Sequence, residues 1–123
     1  MRQNLGICDA SVHLDSYKTY YVARHERDKS NVAGMIAEDL RRRGLEAEFG
    51  PERSALREEK VVVTYEDRWA WDITTYMLSL KVDFRDAKTD ELLASVQSYR
   101  PSLQRRSPEE MVREVLAEIF GTR

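Results

Sequence analysis

The sequence predicts a two-layer α/β sandwich, in which two helices cover one face of a mixed sheet of about five strands. Three observations favour this class. Apolar and polar residues alternate over residues 75–85, which is typical of a half-buried strand. Apolar residues recur at helical spacing over residues 32–40 and 111–119. A strand, a helix and a second strand follow one another in the first half of the chain. The predicted order is β-α-β-β-β-β-α.

The first three elements form a βαβ unit. Residues 17–24, rich in aromatic and β-branched side chains, predict the first strand. Asp28 or Ser30 then caps a helix that ends at Gly44, with three arginines in its last turn. Residues 45–49 alternate and predict a short second strand that ends at Gly50 and Pro51. A right-handed connection makes these two strands parallel neighbours or near neighbours.

The next elements are three strands, the last two of which form a hairpin. Residues 60–65 predict the third strand, and residues 92–99 the fifth. Unbroken alternation in the fourth strand turns one set of side chains to the helices, and that set is Tyr76, Leu78, Leu80, Val82 and Phe84. The opposite set is Thr75, Met77, Ser79, Lys81, Asp83 and Arg85. The uncovered face of the sheet is then expected to present Thr75, Ser79, Lys81, Ser95 and Gln97.

The last helix has the clearest boundaries in the chain. Ser107 is placed as N-cap, Pro108 as the first helical residue and Glu110 as the partner in a capping box. Gly121 is placed to end the helix. The buried stripe is expected to consist of Met111, Val112, Val115, Leu116 and Ile119.

Length and charge limit the classes of function. The 123 residues predict one domain from residue 12 to residue 123, preceded by a flexible arm over residues 1–11. Twenty Lys and Arg against 22 Asp and Glu leave a net charge of −2, so no global field favours nucleic acid as a partner. The single cysteine, Cys8, has two interpretations, a free thiol in the arm or the lipid-attachment site of a lipoprotein.

Motifs for catalysis, cofactors and metals are missing from the sequence. His13 and His25 have no cysteine or carboxylate at ligand spacing, and we expect no metal site. The five glycines stand apart, so no glycine-rich loop is available for a phosphate-bearing cofactor, and we expect no cofactor. The aspartates from Asp67 to Asp90 fit a solvated strand pair better than a catalytic cluster.

One unusual segment contains both tryptophans of the chain, within the residues Asp67, Arg68, Trp69, Trp71 and Asp72. In the first interpretation the indole rings cover the end of the core where the third strand passes into the fourth. In the second they form an exposed aromatic platform for a partner, with the charged residues as its rim. We expect one ring to be buried as a lid on the core and the other to be partly exposed beside Arg68.

The segment 65–74, the long strand with Phe84-Arg85-Asp86, and Leu93-Ala94-Ser95 resemble a group of small bacterial envelope lipoproteins of unknown function. Their domain is similar to the N-terminal domain of the translocation protein TolB. The resemblance covers about residues 12–120. The resemblance implies this fold and a periplasmic location, with Cys8 as the expected anchor to the outer membrane. The family has no established enzymatic activity, so the resemblance implies no mechanism. We expect a non-enzymatic domain that acts by binding another envelope protein. A cytoplasmic adaptor or assembly subunit of the same fold is the alternative, and a small enzyme using residues 69–72 and the 100–106 loop is the third.

Overall fold

A computed structural model of the chain describes residues 17–51 and 61–121. The predicted arm over residues 1–11 lies outside this described part, and so do Cys8 and His13.

The described residues form five strands and two α-helices in the predicted order, which confirms the fold class. The strands are β1 (Thr19–Arg24), β2 (Glu46–Pro51), β3 (Val61–Asp72), β4 (Thr74–Asp86) and β5 (Leu92–Tyr99). The α-helices are α1 (Val32–Arg42) and α2 (Pro108–Phe120), and a single 3-10 turn at Ser102–Gln104 precedes α2.

The sheet has the order β2-β1-β3-β4-β5. Strand β1 is parallel to both of its neighbours, and the two hairpins β3–β4 and β4–β5 are antiparallel. Helix α1 packs on β1 and β2, α2 packs on β4 and β5, and the helices touch each other. Between the layers, the rings of Tyr20, Phe84 and Phe120 meet edge to face, with centroids 5.9 to 6.3 Å apart. Such contacts stabilise the core beyond simple burial of area.

Side chains satisfy the first amides of both helices, although Asn31, the N-cap residue of α1, makes no side-chain capping bond. The Asp28 carboxylate accepts hydrogen bonds from the amides of Val32 and Ala33, each at 3.0 Å, so Asp28 rather than Ser30 satisfies the first turn of α1. At α2 the predicted capping box is confirmed. The Glu110 amide donates to the Ser107 hydroxyl at 3.2 Å, and the Ser107 amide donates to the Glu110 carboxylate at 3.2 Å.

Strand β3 is longer than the sequence predicted. It continues seven residues past Tyr65 to Asp72, so both tryptophans lie within the strand and not in a passage between strands. Asp72 pairs directly with Thr74, and only Ile73 stands between them. Ile73 has φ 70°, a left-handed conformation that is rare for a β-branched residue.

The predicted unbroken alternation of β4 is wrong because the strand contains a bulge. Arg68 pairs with Ser79, whereas the next residue, Trp69, pairs with Met77, which leaves Leu78 as an extra residue. On the N-terminal side of the bulge, the residues of β4 lie on the opposite face of the sheet from the one predicted. Met77 is therefore buried in the core, whereas Tyr76 and Leu78 are only half-buried.

Because of the bulge, one residue that was predicted on the uncovered face lies on the other face. Thr75 pairs with Trp71, and residues that pair across a ladder share a face, so Thr75 lies on the same side as the core. The pairing of Lys81 with Gln97 and of Asp83 with Ser95 keeps those residues on the uncovered side, as predicted.

Candidate functional site: the β3–β4 hairpin

The end of β3 projects beyond its neighbour on one side. Strand β1 pairs with β3 only at Val61, Val62 and Val63, whereas β3 continues to Asp72. From Thr64 onward, β3 has β4 as its one strand neighbour within residues 17–51 and 61–121. All five residues that the sequence singled out lie in this projecting part of the strand.

The structure divides these five residues between two places. Because side chains alternate along a strand, Asp67, Trp69 and Trp71 lie on the helix side of the sheet and Arg68 and Asp72 on the uncovered side. The division also runs along the strand. Asp67 and Trp69 are close to the core, whereas Trp71 and Asp72 are at the tip of the hairpin.

Asp67 is the centre of a small hydrogen-bonded group near the core. Its side chain is only 6% exposed, and its carboxylate accepts a hydrogen bond of 2.8 Å from the Trp69 indole N–H. The carboxylate is also 2.7 Å from His25 Nε2. Because His25 Nδ1 accepts from the Arg27 amide at 3.2 Å, the ring proton of neutral His25 is on Nε2 and is donated to Asp67. These bonds fix the Trp69 ring against the core.

His25 was not predicted to belong to this group. It is 42 residues from Asp67 in sequence, and only the fold brings the two together. The His25 ring also lies 4.8 Å from the ring of Tyr65, so the connection after β1 is held against β3. No spacing rule connects residues so far apart.

Tyr65 links β3 to the start of α1. Its hydroxyl donates to the Asp28 carboxylate, the same group that caps the helix. Burial alone raises the pKa of Asp28, but the hydrogen bonds from Tyr65 and from the amides of Val32 and Ala33 outweigh it and hold the pKa below its ordinary value. The pKa of Tyr65 is raised, by burial first and then by its bond to Asp28.

The tip of the hairpin presents large apolar side chains to solvent. Trp71 is 74% exposed and Ile73 is 82% exposed. Leu103, in the 3-10 turn, is 98% exposed, and the hydroxyl of its neighbour Ser102 donates to the Asp72 carboxylate. Because these three exposed apolar side chains lie at one end of the domain, that end is the candidate interaction surface. We refer to Trp71, Ile73 and Leu103 as the tip.

Arg105 braces the tip. Its guanidinium donates to the Thr74 hydroxyl at 2.8 Å and to the Asp72 carbonyl at 3.1 Å, on both sides of the turn. The same group lies 4.5 Å from the centroid of the Tyr76 ring. From the sequence, the 100–106 loop was named only as part of an alternative enzyme site, and the role of Arg105 in holding the hairpin was missed.

A groove of about 1140 Å³ runs along the projecting part of β3. Residues of the β1–α1 connection form one wall, and residues 64–69 of β3 form the other. Four cationic side chains line it, namely Arg27, Lys29, Arg68 and Lys81. In the described part of the chain, these four side chains make no hydrogen bond or ion pair.

Neither a metal-binding cluster nor a membrane-spanning helix occurs among the described residues. Among the described residues, no three His, Cys, Asp or Glu side chains are grouped so that they could hold a metal ion. The helices formed by those residues are too short or too polar to cross a membrane.

Comparison with known proteins places the fold. The fold resembles that of PelC. A PelC dodecamer with a Leu-to-Met substitution, from Paraburkholderia phytofirmans, has a TM-score of 0.61 at 11% identity, over 86% of this chain and 87% of that chain. A second PelC dodecamer from the same organism has a TM-score of 0.59 at 13% identity, over 85% of each chain. Identities this low show similarity of fold alone.

A minor lipoprotein from Acinetobacter baumannii has a TM-score of 0.42 at 11% identity, over 85% of this chain and 83% of that chain, which is too low to bear on the fold. No family model matches the sequence, and the search of curated proteins finds no match. The expected similarity to the N-terminal domain of TolB stays a prediction.

Proposed function

We propose that the chain is a non-enzymatic binding domain of the bacterial envelope, and that it holds another envelope protein at the tip. The observation that carries this proposal is the exposure of Trp71 on a braced hairpin. Tryptophan is enriched among the few residues that dominate binding energy at protein interfaces. A hairpin held in place before binding loses little backbone conformational entropy when the partner arrives.

Charged residues near Trp71 supply a polar rim for the proposed binding surface. Arg68 and Asp72 are exposed on the uncovered side of the same strand, one at each end of a five-residue stretch. Asp67 and Trp69 have a different part in this proposal. They hold the strand against the core, and the partner contacts Trp71, Ile73 and Leu103.

The backbone at Ile73 gives independent support. A left-handed conformation costs about 1–2 kcal/mol for a residue with a Cβ, and glycine removes most of that cost. Ile73 nevertheless places a β-branched, 82% exposed side chain at this position. Strained conformations of this kind cluster at functional sites. A tip that keeps an apolar side chain at a cost in stability fits selection for binding.

The envelope location rests on the resemblance to envelope lipoproteins and on Cys8 as the lipid-attachment residue. The predicted arm over residues 1–11 precedes the described part of the chain. The described chain begins at Tyr17, whose hydroxyl donates to Asp86 at 2.6 Å, at the opposite end of β4 from the tip. An outer-membrane anchor at Cys8 therefore leaves the tip directed away from that membrane, into the periplasm.

The PelC structures make self-association the first alternative partner to examine, because both are dodecamers. Light scattering of the purified chain measures its mass. A monomer supports a different envelope protein as the partner at the tip. An oligomer that Trp71→Ala dissociates would show that the tip binds a second copy of this chain.

Cross-linking in cells tests the proposal. A photoreactive phenylalanine derivative at position 71 is expected to give a discrete cross-linked product with an envelope protein. The matched control is the same derivative at Glu91, exposed at the opposite end of the sheet, which is expected to give none. Loss of the product with Ile73→Asp or Leu103→Asp would assign the contact to the tip. Equal products from positions 71 and 91 would exclude a specific platform.

Fractionation of the same cells separates the envelope domain from the cytoplasmic adaptor. The proposal expects the wild-type chain in the membrane fraction and Cys8→Ser in the periplasmic fraction. Recovery of both forms in the cytoplasm would favour the adaptor or assembly subunit.

A further inference from the structure

We propose that His25 is a proton-operated latch on the wall of the groove. In its neutral form the ring holds the turn at Arg27, and in its protonated form it releases that turn while it keeps its bond to β3. The inference concerns the β1–α1 connection, and it does not rest on the proposed function of the tip. Its consequence is a groove whose wall changes position with pH.

The turn over residues 25–28 is closed by two hydrogen bonds that both end on His25. The Asp28 amide donates to the His25 carbonyl at 3.2 Å, and the Arg27 amide donates to His25 Nδ1 at 3.2 Å. The second bond exists only while Nδ1 has a free lone pair, because a ring nitrogen that carries a proton is a donor. The neutral ring therefore braces the turn with its own side chain.

The other ring nitrogen connects His25 to β3. Nε2 lies 2.7 Å from the carboxylate of Asp67, whose side chain is 6% exposed. The same carboxylate accepts a hydrogen bond of 2.8 Å from the Trp69 indole N–H. A proton added at Nδ1 leaves Nε2–H in place, so the bond to Asp67 remains and gains the attraction of an ion pair. Protonation therefore strengthens the contact with β3 and breaks the contact with Arg27.

The two walls of the groove respond unequally for this reason. In the protonated form, the N–H at Nδ1 and the N–H of Arg27 face each other, and the turn opens to separate them. Asp28 does not follow, because its carboxylate is held by the Tyr65 hydroxyl and by two amides of α1. The movement is confined to Glu26 and Arg27, which line the groove. The groove therefore widens on the side of the connection.

Charged side chains face the His25 ring from the connection and from two strands, and the His25 side chain is 29% exposed. Asp67 and Asp28 are the carboxylates on which a charge at His25 acts. The other charged residues of the groove are Glu26, Arg27 and Lys29 of the connection, Glu66 and Arg68 of β3, and Lys81 and Asp83 of β4. The four carboxylates of the groove balance its four cations. The added proton on His25 is therefore the change of charge to which the turn responds.

NMR of the ring nitrogens and amides of the intact chain tests the latch. Between about pH 8 and about pH 5, where histidine ordinarily changes charge, the His25 ring is expected to pass from a proton on Nε2 alone to protons on both nitrogens. Protection of the Arg27 amide against hydrogen exchange, relative to the intrinsic rate at each pH, is expected to fall about threefold or more with the same midpoint. Protection of the Val32 and Ala33 amides and of the Trp69 indole N–H is expected to stay unchanged.

Two substitutions fix the two states of the latch. In His25→Asn, the side-chain oxygen takes the place of Nδ1 and accepts from the Arg27 amide. In His25→Gln, the side-chain nitrogen takes the place of Nε2 and donates to Asp67, with no acceptor left for Arg27. The Arg27 amide is expected to be protected at both pH values in the first variant and at neither in the second. His13, the second histidine of the chain, gives reference signals that remain in both variants.

Four results would overturn the inference. A His25 ring that stays neutral down to about pH 5 would remove the switch. A protonated ring with an unchanged Arg27 amide would show that the turn does not depend on Nδ1. A pH response of the Arg27 amide in His25→Asn equal to that of the wild type would assign the response to another group. Loss of protection at Val32 and Ala33 together with Arg27 would show a general loosening at the start of α1. None of these results bears on the tip, which cross-linking at position 71 tests separately.

Discussion

At the residue scale, two tryptophans on one face of one strand meet different surroundings. Trp69 pairs with Met77 at the margin of the core, and its N–H is bonded to Asp67. Trp71 pairs with Thr75 beyond the reach of the helices and is 74% exposed. The expected division into one ring against the core and one exposed ring is confirmed, but Trp69 is half-buried, and Trp71 lies on the face of β3 opposite Arg68 and not beside it. A displacement of two residues along β3 separates a ring that packs on the core from the exposed ring to which we assign binding in the proposed function.

Fluorescence and stability check this division. Trp69→Ala is expected to lower the free energy of unfolding by about 3–5 kcal/mol, because the ring packs against the core. Trp71→Ala is expected to change it by less than about 0.5 kcal/mol, as for other exposed sites. In the Trp69→Phe variant, iodide is expected to quench the remaining Trp71 emission readily. Two rings equally resistant to iodide would contradict the exposure of Trp71 and remove the proposed platform.

Asp28 links stability to pH. Its pKa is lower in the folded chain than in the unfolded chain, where a value of about 3.9 is ordinary. The ionised form therefore stabilises the fold above about pH 4, and that contribution is lost as the pH falls through the lower folded value. Asp28→Asn keeps an oxygen acceptor for the cap but cannot titrate. Its free energy of unfolding is expected to fall less steeply below pH 4 than that of the wild type.

The control for the pH measurement is Tyr65→Phe, which removes the hydroxyl bonded to Asp28. It is expected to raise the pKa of Asp28 and to give an intermediate slope. Asp86, whose pKa is also lowered by a tyrosine hydroxyl and by backbone amides, titrates in all three proteins, so differences between them report on Asp28. Identical slopes for the wild type and Asp28→Asn would refute this assignment.

At the scale of the element, the bulge in β4 decides which side chains reach the core. The alternation predicted from the sequence is correct from Leu80 to Phe84. It fails on the N-terminal side of that stretch, over residues 75–78. The insertion of one residue moves Met77 into the core and Thr75 to the side of Trp71. All three side chains from 76 to 78 are large and apolar or aromatic, so either register buries apolar area, and composition alone does not distinguish them.

Truncation of neighbouring residues in β4 tests the bulge. Met77→Ala is expected to lower the free energy of unfolding by about 2–5 kcal/mol, since Met77 is fully buried. The matched control, Leu78→Ala, is expected to cost clearly less, because Leu78 is only half-buried. Urea midpoints for the two variants give the comparison. A larger loss for Leu78→Ala would restore the unbroken alternation and place Thr75 back on the uncovered face.

The two ends of β4 differ in how well their turns are predicted from the sequence. Near its C-terminal end, period two and the polar turn before Leu92 identify the hairpin to β5 correctly. At its N-terminal end, the turn to β3 contains no glycine, asparagine or proline, the usual signals of a tight turn. Ile73 takes the left-handed conformation instead, so no turn signal indicated that β3 extends to Asp72. The candidate site was located in sequence, but its division into tip and groove depends on this turn.

The conformation of Ile73 leads to a prediction in which stability and binding move in opposite directions. Ile73→Gly is expected to raise the free energy of unfolding by about 1 kcal/mol, because glycine adopts a positive φ without steric cost. The same change removes an exposed apolar side chain and is expected to weaken cross-linking at position 71. Ile73→Val keeps the β-branch and is expected to match the wild type in both measurements. A glycine variant less stable than the wild type would show that the turn is not strained.

At the scale of the whole molecule, the tip and the start of the described chain lie at opposite ends of the domain. The tip and its brace from Arg105 are at the end where β3 passes into β4. The chain enters at the other end, where Tyr17 is bonded to Asp86. Strand β4 connects these ends with 13 residues, or roughly 40 Å at about 3.3 Å per residue. In the proposed function, attachment at one end and recognition at the other place the partner at a set height above a membrane surface.

This arrangement can be measured because Cys8 is the only cysteine in the chain. A maleimide lipid attaches the protein to vesicles through Cys8, and brominated lipids then quench tryptophans close to the bilayer. In the Trp69→Phe variant, Trp71 emission is expected to be quenched little, because the tip lies at the far end of the sheet. A second variant with Trp69→Phe, Trp71→Phe and Glu91→Trp carries its one indole at the attached end and is expected to be quenched more strongly. The opposite order would show that the tip inserts its apolar side chains into lipid, and it would replace the protein partner by the membrane itself.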